Sequence, residues 1–103
     1  MKDDELAIVA MEVILHAGNA RNLIRKSGEL VSKHQIENVE EMLKEAKQEI
    51  VLAHKSQTQL LHREARGEKV EMTVLFSHAQ DTLMTTESEC FMIETLFNFL
   101  KKE

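Results

Sequence analysis

The chain has no proline, no tryptophan and no tyrosine, and only three glycines and one cysteine in 103 residues. A β-rich fold of this length needs many turns, and turns lean on Gly and Pro. So few breaks leave room for a few long elements, and those are expected to be helices. One cysteine, Cys90, cannot form a disulfide within the chain. No apolar run approaches the roughly 20 residues that a membrane span requires. The acidic start Met1-Lys2-Asp3-Asp4-Glu5 is not followed by the apolar core of a secretory signal. A protein of a reducing cytoplasm is the expectation. Basic charge is also short: 13 Lys and Arg stand against 18 Asp and Glu, a formal net charge of −5. With no Lys/Arg stripe, nucleic acid is excluded as a partner. The phosphate-cradling glycine loops, the His-Glu-x-x-His zinc signature and the Glu-x-x-His pairs of di-iron bundles are all missing. The remaining composition, 43% hydrophobic and 30% charged, is that of one folded domain spanning residues 1–103.

What is present is heptad periodicity in three stretches. From about residue 3 to 33, Leu6, Val13 and Ala20 interleave with Ala10, Ala17, Ile24 and Val31 as an a/d seam. Asp3 or Asp4 suits the cap and the positive end of this helix. Gly18 inside it suggests a close backbone approach, whereas Gly28 has no evident role. From about 35 to 66, Ile36, Leu43 and Ile50 alternate with Val39, Ala46, Ala53 and Leu60, and Gly67 is placed to end the helix. From about 70 to 102, Met92, Leu96 and Phe99 form one apolar row with Phe91, Ile93 and Leu100 beside it; Met84 and Met92 read as core filling. Three such helices joined by short connections make an all-α, antiparallel, up-down-up three-helix bundle. The apolar residues flanking the seams (Val9, Ile14, Met42, Leu61, Phe91, Ile93) exceed what one slender bundle buries, which points to self-association.

The third stretch also carries polar residues at seam spacing: His78, Asp81, Thr85 and Ser88, continuing up to Val74 and down to Met92. His78, Asp81 and Thr82 share one helix face. In a core such groups cost about 1–3 kcal/mol each if unsatisfied. They therefore form a hydrogen-bonded register device or a solvent-facing row, or else His78 is a nucleophile or metal ligand. His16, His34, His54 and His62 read as boundary, loop or surface residues, and Cys90 as an inert packing residue.

Four clusters along the chain are together distinctive: His16-Ala17-Gly18-Asn19-Ala20-Arg21, Ala53-His54-Lys55-Ser56-Gln57-Thr58, Glu64-Ala65-Arg66-Gly67 and His78-Ala79-Gln80-Asp81-Thr82-Leu83-Met84. In this order they resemble the lactose/cellobiose class of IIA components of the bacterial sugar phosphotransferase system. The resemblance implies a three-helix bundle assembled as a homotrimer. It implies that His78 takes a phosphoryl group from the histidine phosphocarrier protein and passes it to a cysteine of the IIB component. That component phosphorylates the sugar at the membrane IIC component. It implies that Asp81, one from each of three subunits, holds a divalent cation, expected as Mg2+, near the threefold axis. Gln80 is then expected to contact the phosphoryl group. Lying about 200° round the helix from His78, it would serve a neighbouring subunit or a docked partner more easily than its own. His54 and Gln57 are candidates for lining the same crevice.

This sequence departs from the family pattern at Thr82, where a second histidine is usual, and at the first turn, where His34-Gln35-Ile36 replaces a Gly-Asp-Phe-like turn. Ile36 can still supply that turn's apolar anchor. Thr82 hydrogen-bonds but cannot act as a base. The sugar is handled by proteins outside this chain; Ala79 and Gly18-Asn19-Ala20-Arg21 lean toward cellobiose-like over lactose substrates among β-linked disaccharides. The alternative from another class is a non-catalytic interaction or regulatory module that keeps the same fold. A metal-storage bundle is disfavoured by the lack of Glu/His ligand pairs.

Overall fold

In the computed structural model, which describes residues 3–102, three helices account for most of the chain: α1 Asp3–Ser32, α2 Val39–Ala65 and α3 Val74–Lys101. The side chain of Asp3 is excepted, so the cap expected of it lies outside the described residues; Asp4 sits exposed in the first turn of α1. Side-chain ties fix the directions. Glu5, Glu12 and His16 of α1 meet Arg63, Ser56 and Glu49 of α2, so those helices are antiparallel. Glu40, Lys47 and His54 of α2 meet Lys101, Glu94 and Glu87 of α3, again antiparallel. Arg21 meets Thr85, which leaves α1 and α3 parallel and completes the up-down-up bundle. α1 is the spine and packs along both partners; α2 and α3 touch each other far less.

The seam of α1 is buried as its spacing requires, and so is that of α2 at Val39, Leu43, Ala46, Ala53 and Leu60; Ile50, and Ile36 in the turn before the helix, are half-buried against the core. Leu6, Ala10, Val13 and Ala17 join Ala53, Leu60, Phe76, Ala79 and Leu83 in one core cluster. Ala20, Ile24 and Val31 join Val39, Leu43, Ala46, Cys90 and Phe97 in a second. The fully buried polar residues Ser27 and Thr86 bond back into their own helices, to the carbonyls of Leu23 at 2.8 Å and Thr82 at 2.6 Å, so neither hydroxyl is left unpaired.

α3 differs from the reading above in two ways. Its buried row is Phe76, Ala79, Leu83, Thr86, Cys90 and Phe97. Met92, Leu96 and Phe99, expected in the core, are more than half exposed, as are Met84 and Phe91. The far half of α3 is apolar nearly all round, so its period could not choose a face. The helix also starts at Val74, not near residue 70, because the side chain of Thr73 caps it by accepting from the Phe76 N–H at 3.0 Å. The glycine expectations exchange places as well. A Cβ at Gly18 meets nothing within 4 Å, whereas one at Gly28 lies 3.2 Å from Ile93 Cδ1, so Gly28 is where α1 and α3 come close.

Both helix-ending turns have the same hydrogen-bond pattern. After α2, the Gly67 N–H donates to the Glu64 carbonyl (3.0 Å) and the Glu68 N–H to that of Arg63 (3.1 Å), with Gly67 at φ 96°. After α1, the His34 N–H donates to Val31 (3.0 Å) and the Gln35 N–H to Leu30 (2.9 Å), with His34 at φ 59°. Each is the left-handed C-terminal motif that glycine normally serves. Six residues, 33–38, separate the two helices, so α2 begins at Val39, later than the spacing implied, and Ile36 still packs against the second core cluster. A histidine in the left-handed region carries a steric penalty that glycine does not. His34→Gly is therefore expected to stabilise the fold by about 0.5–1 kcal/mol, read as a rise of a few degrees in Tm by calorimetry; a lower Tm would contradict the assignment.

Candidate functional site

Seating Phe76, Ala79 and Leu83 in the core turns the polar row of α3 outward. His78, Asp81, Thr85 and Ser88 are all exposed in the single chain, and so are Val74 and Met92 at the ends of the row. They are not the buried seam that their spacing first suggests. α3 carries two heptad rows, and spacing alone does not say which one faces in.

Around His78 the backbone is well tied and the side chain is free. Thr82 Oγ1 donates to the His78 carbonyl at 2.8 Å, so this hydroxyl serves the helix and is not presented to the imidazole. Thr85 Oγ1 shares its proton between the carbonyls of Asp81 (2.8 Å) and Thr82 (3.2 Å). It also accepts from Arg21 Nη2 of α1 at 2.5 Å, while Arg21 Nε lies 3.3 Å from a Glu89 carboxylate oxygen. Arg21 is thus a cation at the edge of the polar row. It stands in one of the distinctive clusters and is the first Lys or Arg of α1, which is the signal by which it could have been found. Among the described residues, neither ring nitrogen of His78 has a partner within hydrogen-bond distance, and the imidazole lies open to solvent.

The other candidates lie elsewhere on the chain. Gln80 is half-buried in a corner lined by Leu60, Leu61, Glu64, Val70, Met72 and Phe76, away from the face of His78. His54 donates from Nε2 to Glu87 at 2.7 Å. Glu87 is nine residues beyond His78, about 14 Å along the helix. Gln57 is half-buried one turn further along α2. One chain therefore does not bring His54 or Gln57 to His78, and a shared crevice would need a second copy. His16, with Asn19, holds Glu49 of α2 at 2.7 and 3.1 Å, so His16 and His54 are both ties between helices. Arg63 joins three segments: it donates to Glu5 on α1 and, through two nitrogens, to Glu68 in the connection to α3. That fork holds Glu68 below the usual carboxylate range, chiefly by its hydrogen bonds.

Asp81 contributes one exposed carboxylate per chain, and among the described residues no three His, Cys, Asp or Glu side chains converge as a metal-binding group. No helix is long and apolar enough to cross a membrane.

Residues 8–101 match the family described as the lactose/cellobiose-specific IIA subunit of the phosphotransferase system. The chain is 32% identical to a lactose-specific EIIA component of Staphylococcus epidermidis, over 99% of this chain and 98% of that one. It is 38% identical to a lichenan-specific phosphotransferase enzyme IIA component of Bacillus subtilis, over 80% and 74% of the two chains. The crystal structure of PtcA from S. mutans superposes with a TM-score of 0.93 at 33% identity, covering 98% of this chain and 99% of that one. A cellobiose-specific enzyme IIA from Bacillus anthracis gives 0.88 at 32% identity, over 99% and 92%.

Cys90 takes no part in the site. It is buried, and desolvation pushes its thiol pKa up, which lowers the reactive thiolate fraction at any pH below that pKa. In the folded protein at pH 8, labelling by a disulfide reagent is expected to run at least 100-fold slower than for free cysteine, reaching the free rate only on denaturation; fast labelling of the native chain would contradict this.

Proposed function

The chain belongs to the lactose/cellobiose-specific IIA family of the phosphotransferase system, and from that membership we propose that it carries a phosphoryl group on His78 between two partner proteins. The observation that carries the reading is the placement of His78: an exposed imidazole whose ring nitrogens have no partner among the described residues, on a helix anchored from behind by Ala79 and Leu83.

The chemistry asks little of the chain. A neutral imidazole has a lone pair available near pH 7, since its unperturbed pKa is about 6.5. In the first step a ring nitrogen of His78 bonds to phosphorus as the N–P bond of the donor's phosphohistidine breaks, and the donor's imidazole leaves. In the second, a cysteine thiolate of the IIB component attacks the same phosphorus and the N–P bond on His78 breaks. Phosphoryl transfer depends on positioning and charge stabilisation more than on covalent work by other groups. The donor is the histidine phosphocarrier protein, the acceptor the IIB component, and the setting the cytoplasm. Relatives are named for lactose, lichenan and oligo-β-mannoside, which supports a β-linked disaccharide as the sugar served.

The working form is a homotrimer with the outer row of α3 at its axis. The support is that Phe91, Met92, Leu96 and Phe99 stand exposed along that face, a cluster a lone soluble chain seldom shows. Three copies would also bring three Asp81 carboxylates together. Such a cluster persists only if protonated or paired with a cation, and six carboxylate oxygens fit a hard divalent ion such as Mg2+. The donor set fits; Asp81 would hold the ion, whose charge would keep the three carboxylates ionised. Gln80 would reach a phosphoryl group only across such an interface or in a docked partner.

Incubation with phosphoenolpyruvate, enzyme I and the phosphocarrier should add one acid-labile phosphoryl mass per chain in intact-mass spectrometry, absent from His78→Gln. No gain, with the carrier shown to be phosphorylated in the same tube, would leave a non-catalytic interaction module that keeps the fold. In sedimentation velocity, chelating divalent ions should weaken the native trimer, whereas Asp81→Asn should form a trimer indifferent to chelator; equal sensitivity in both would remove Asp81 from the metal role.

A further inference from the structure

Two of the four distinctive sequence clusters meet at a place the phosphoryl chemistry does not use. Glu64 comes from Glu64-Ala65-Arg66-Gly67 at the end of α2, and Gln80 from the cluster that begins at His78. Both line one corner between the end of α2, the connection that follows it and α3. Its floor, Leu60 and Phe76, is 2 and 5% exposed and belongs to the first core cluster, and Val70 packs on that cluster from the connection. Leu61 and Met72 stand exposed at the rim. The corner holds about 130 Å3. That is well below the roughly 300–1,000 Å3 of pockets that enclose a drug-sized ligand, and it suits one slender group. Gln80 lies one turn beyond Phe76 on the same face of α3 and about 200° round from His78. The corner therefore opens on a different side of the helix from the imidazole.

Both polar side chains in the corner lack a partner. Among the described residues neither the Glu64 carboxylate nor the Gln80 amide makes a hydrogen bond or an ion pair. The arginines beside Glu64 in sequence turn elsewhere: Arg63 donates to Glu5 and Glu68, and Arg66 lies 4.0 Å from Glu68. Glu64 also stands in the last turn of α2, where the helix dipole disfavours a carboxylate. Gln80 is half-buried, and a half-buried amide without a partner gives up hydrogen bonds to water. Neither placement helps the fold. An unpaired anion and an unpaired amide over an apolar floor are the features of a binding pocket.

The count of acceptors selects the ligand. A primary ammonium has three N–H donors and no acceptor. The Glu64 carboxylate offers two oxygens and the Gln80 amide one, and the carboxylate also carries the opposite charge. The apolar walls suit an unbranched methylene stem, which long cationic side chains bury while the charged head stays in polar surroundings. A divalent metal wants about six oxygens or more, and two side chains do not supply them. A guanidinium brings five donors in a fixed planar fork, more than this corner satisfies.

We propose that the Glu64–Gln80 corner is a binding site for a primary alkylammonium group on a short unbranched stem, carried by a free amine or by the side chain of a lysine. The bound group joins the end of α2, the connection and the second turn of α3, because the lining comes from all three. The site owes nothing to what His78 carries and leaves the imidazole open. Occupancy withdraws Gln80 from any phosphoryl contact.

The test is an NMR titration of the 15N-labelled full chain with small amines at constant ionic strength. n-Butylammonium should shift the amides of Glu64, Val70, Met72, Phe76 and Gln80 saturably, with a Kd of about 1–10 mM, as suits a ligand of so few atoms. tert-Butylammonium, with the same charge on a branched stem, should bind at least tenfold more weakly. Glu64→Gln keeps the size of the side chain and removes its charge. It should weaken n-butylammonium at least tenfold while leaving Tm within about 2 °C of native, since exposed charges contribute little stability. Gln80→Leu removes one acceptor and should weaken the same amine at least threefold. No saturable shift up to about 100 mM overturns the inference. Equal binding of the two butylammonium isomers also overturns it, because it means diffuse attraction to an acidic chain, and so does native affinity in Glu64→Gln. Two further probes separate the sources, and either result upholds the site: tighter binding of Nα-acetyl-lysinamide than of 1,4-diaminobutane assigns a lysine of a protein, and the reverse order a free diamine.

Discussion

The inner face of α3 governs everything on its outer face. Phe76, Ala79, Leu83, Cys90 and Phe97 are at most 5% exposed, and each large apolar side chain among them holds about 1.5–3 kcal/mol through burial. Rotating α3 to bring His78 and Asp81 inward would expose Phe76, Leu83 and Phe97 together. That loss is comparable with the 5–15 kcal/mol that separates a folded domain from its unfolded chain. The helix is thus locked in rotation by its core. His78 can stand in solvent with no partner on its ring because nothing about its position depends on a bond to that ring.

The alanines set how closely the rest can approach. Ala10, Ala17, Ala20, Ala46, Ala53 and Ala79 are fully buried, so the helices meet with little side-chain bulk between them, and Gly28 removes even the methyl where Ile93 crosses. A core of such small residues specifies register weakly. The ties between helices add that information: Arg63 with Glu5, Ser56 with Glu12, His16 with Glu49, His54 with Glu87, and Lys47 with Glu94. Exposed pairs of this kind contribute little stability. Their value lies in disfavouring a slipped alignment, in which each carboxylate would face the wrong neighbour. Two of the chain's five histidines are thereby spent on register, which leaves His78 distinct as the one displayed on an outward polar row.

Charge is divided along the molecule as well as around it. Cations collect in the second half of α1, α2 mixes Lys and Arg with at least as many carboxylates, and α3 has no Lys or Arg before its last turn. A phosphoryl group on His78, as proposed above, would add negative charge to an end of the bundle that is already acidic. Such a group would be held mainly by its bond to nitrogen and weakly by its surroundings, which suits a group that is to be handed on.

Composition and spacing alone determined the class of fold, the direction of each helix, the inner rows of α1 and α2 and the glycine stop at Gly67, because these follow from local rules: a 3.6-residue period, the steric freedom of glycine and the absence of proline. The ordered clusters around His16, His54, Glu64 and His78 determined the family. Only the tertiary structure decided which of the two rows of α3 faces inward, that Gly28 and not Gly18 marks the close approach, that His34 takes a glycine's conformation, and that His54 belongs with Glu87 instead of His78. Each of these depends on what another helix places opposite a residue. A helix that is apolar on nearly every side, as the second half of α3 is, does not carry that choice in its own period.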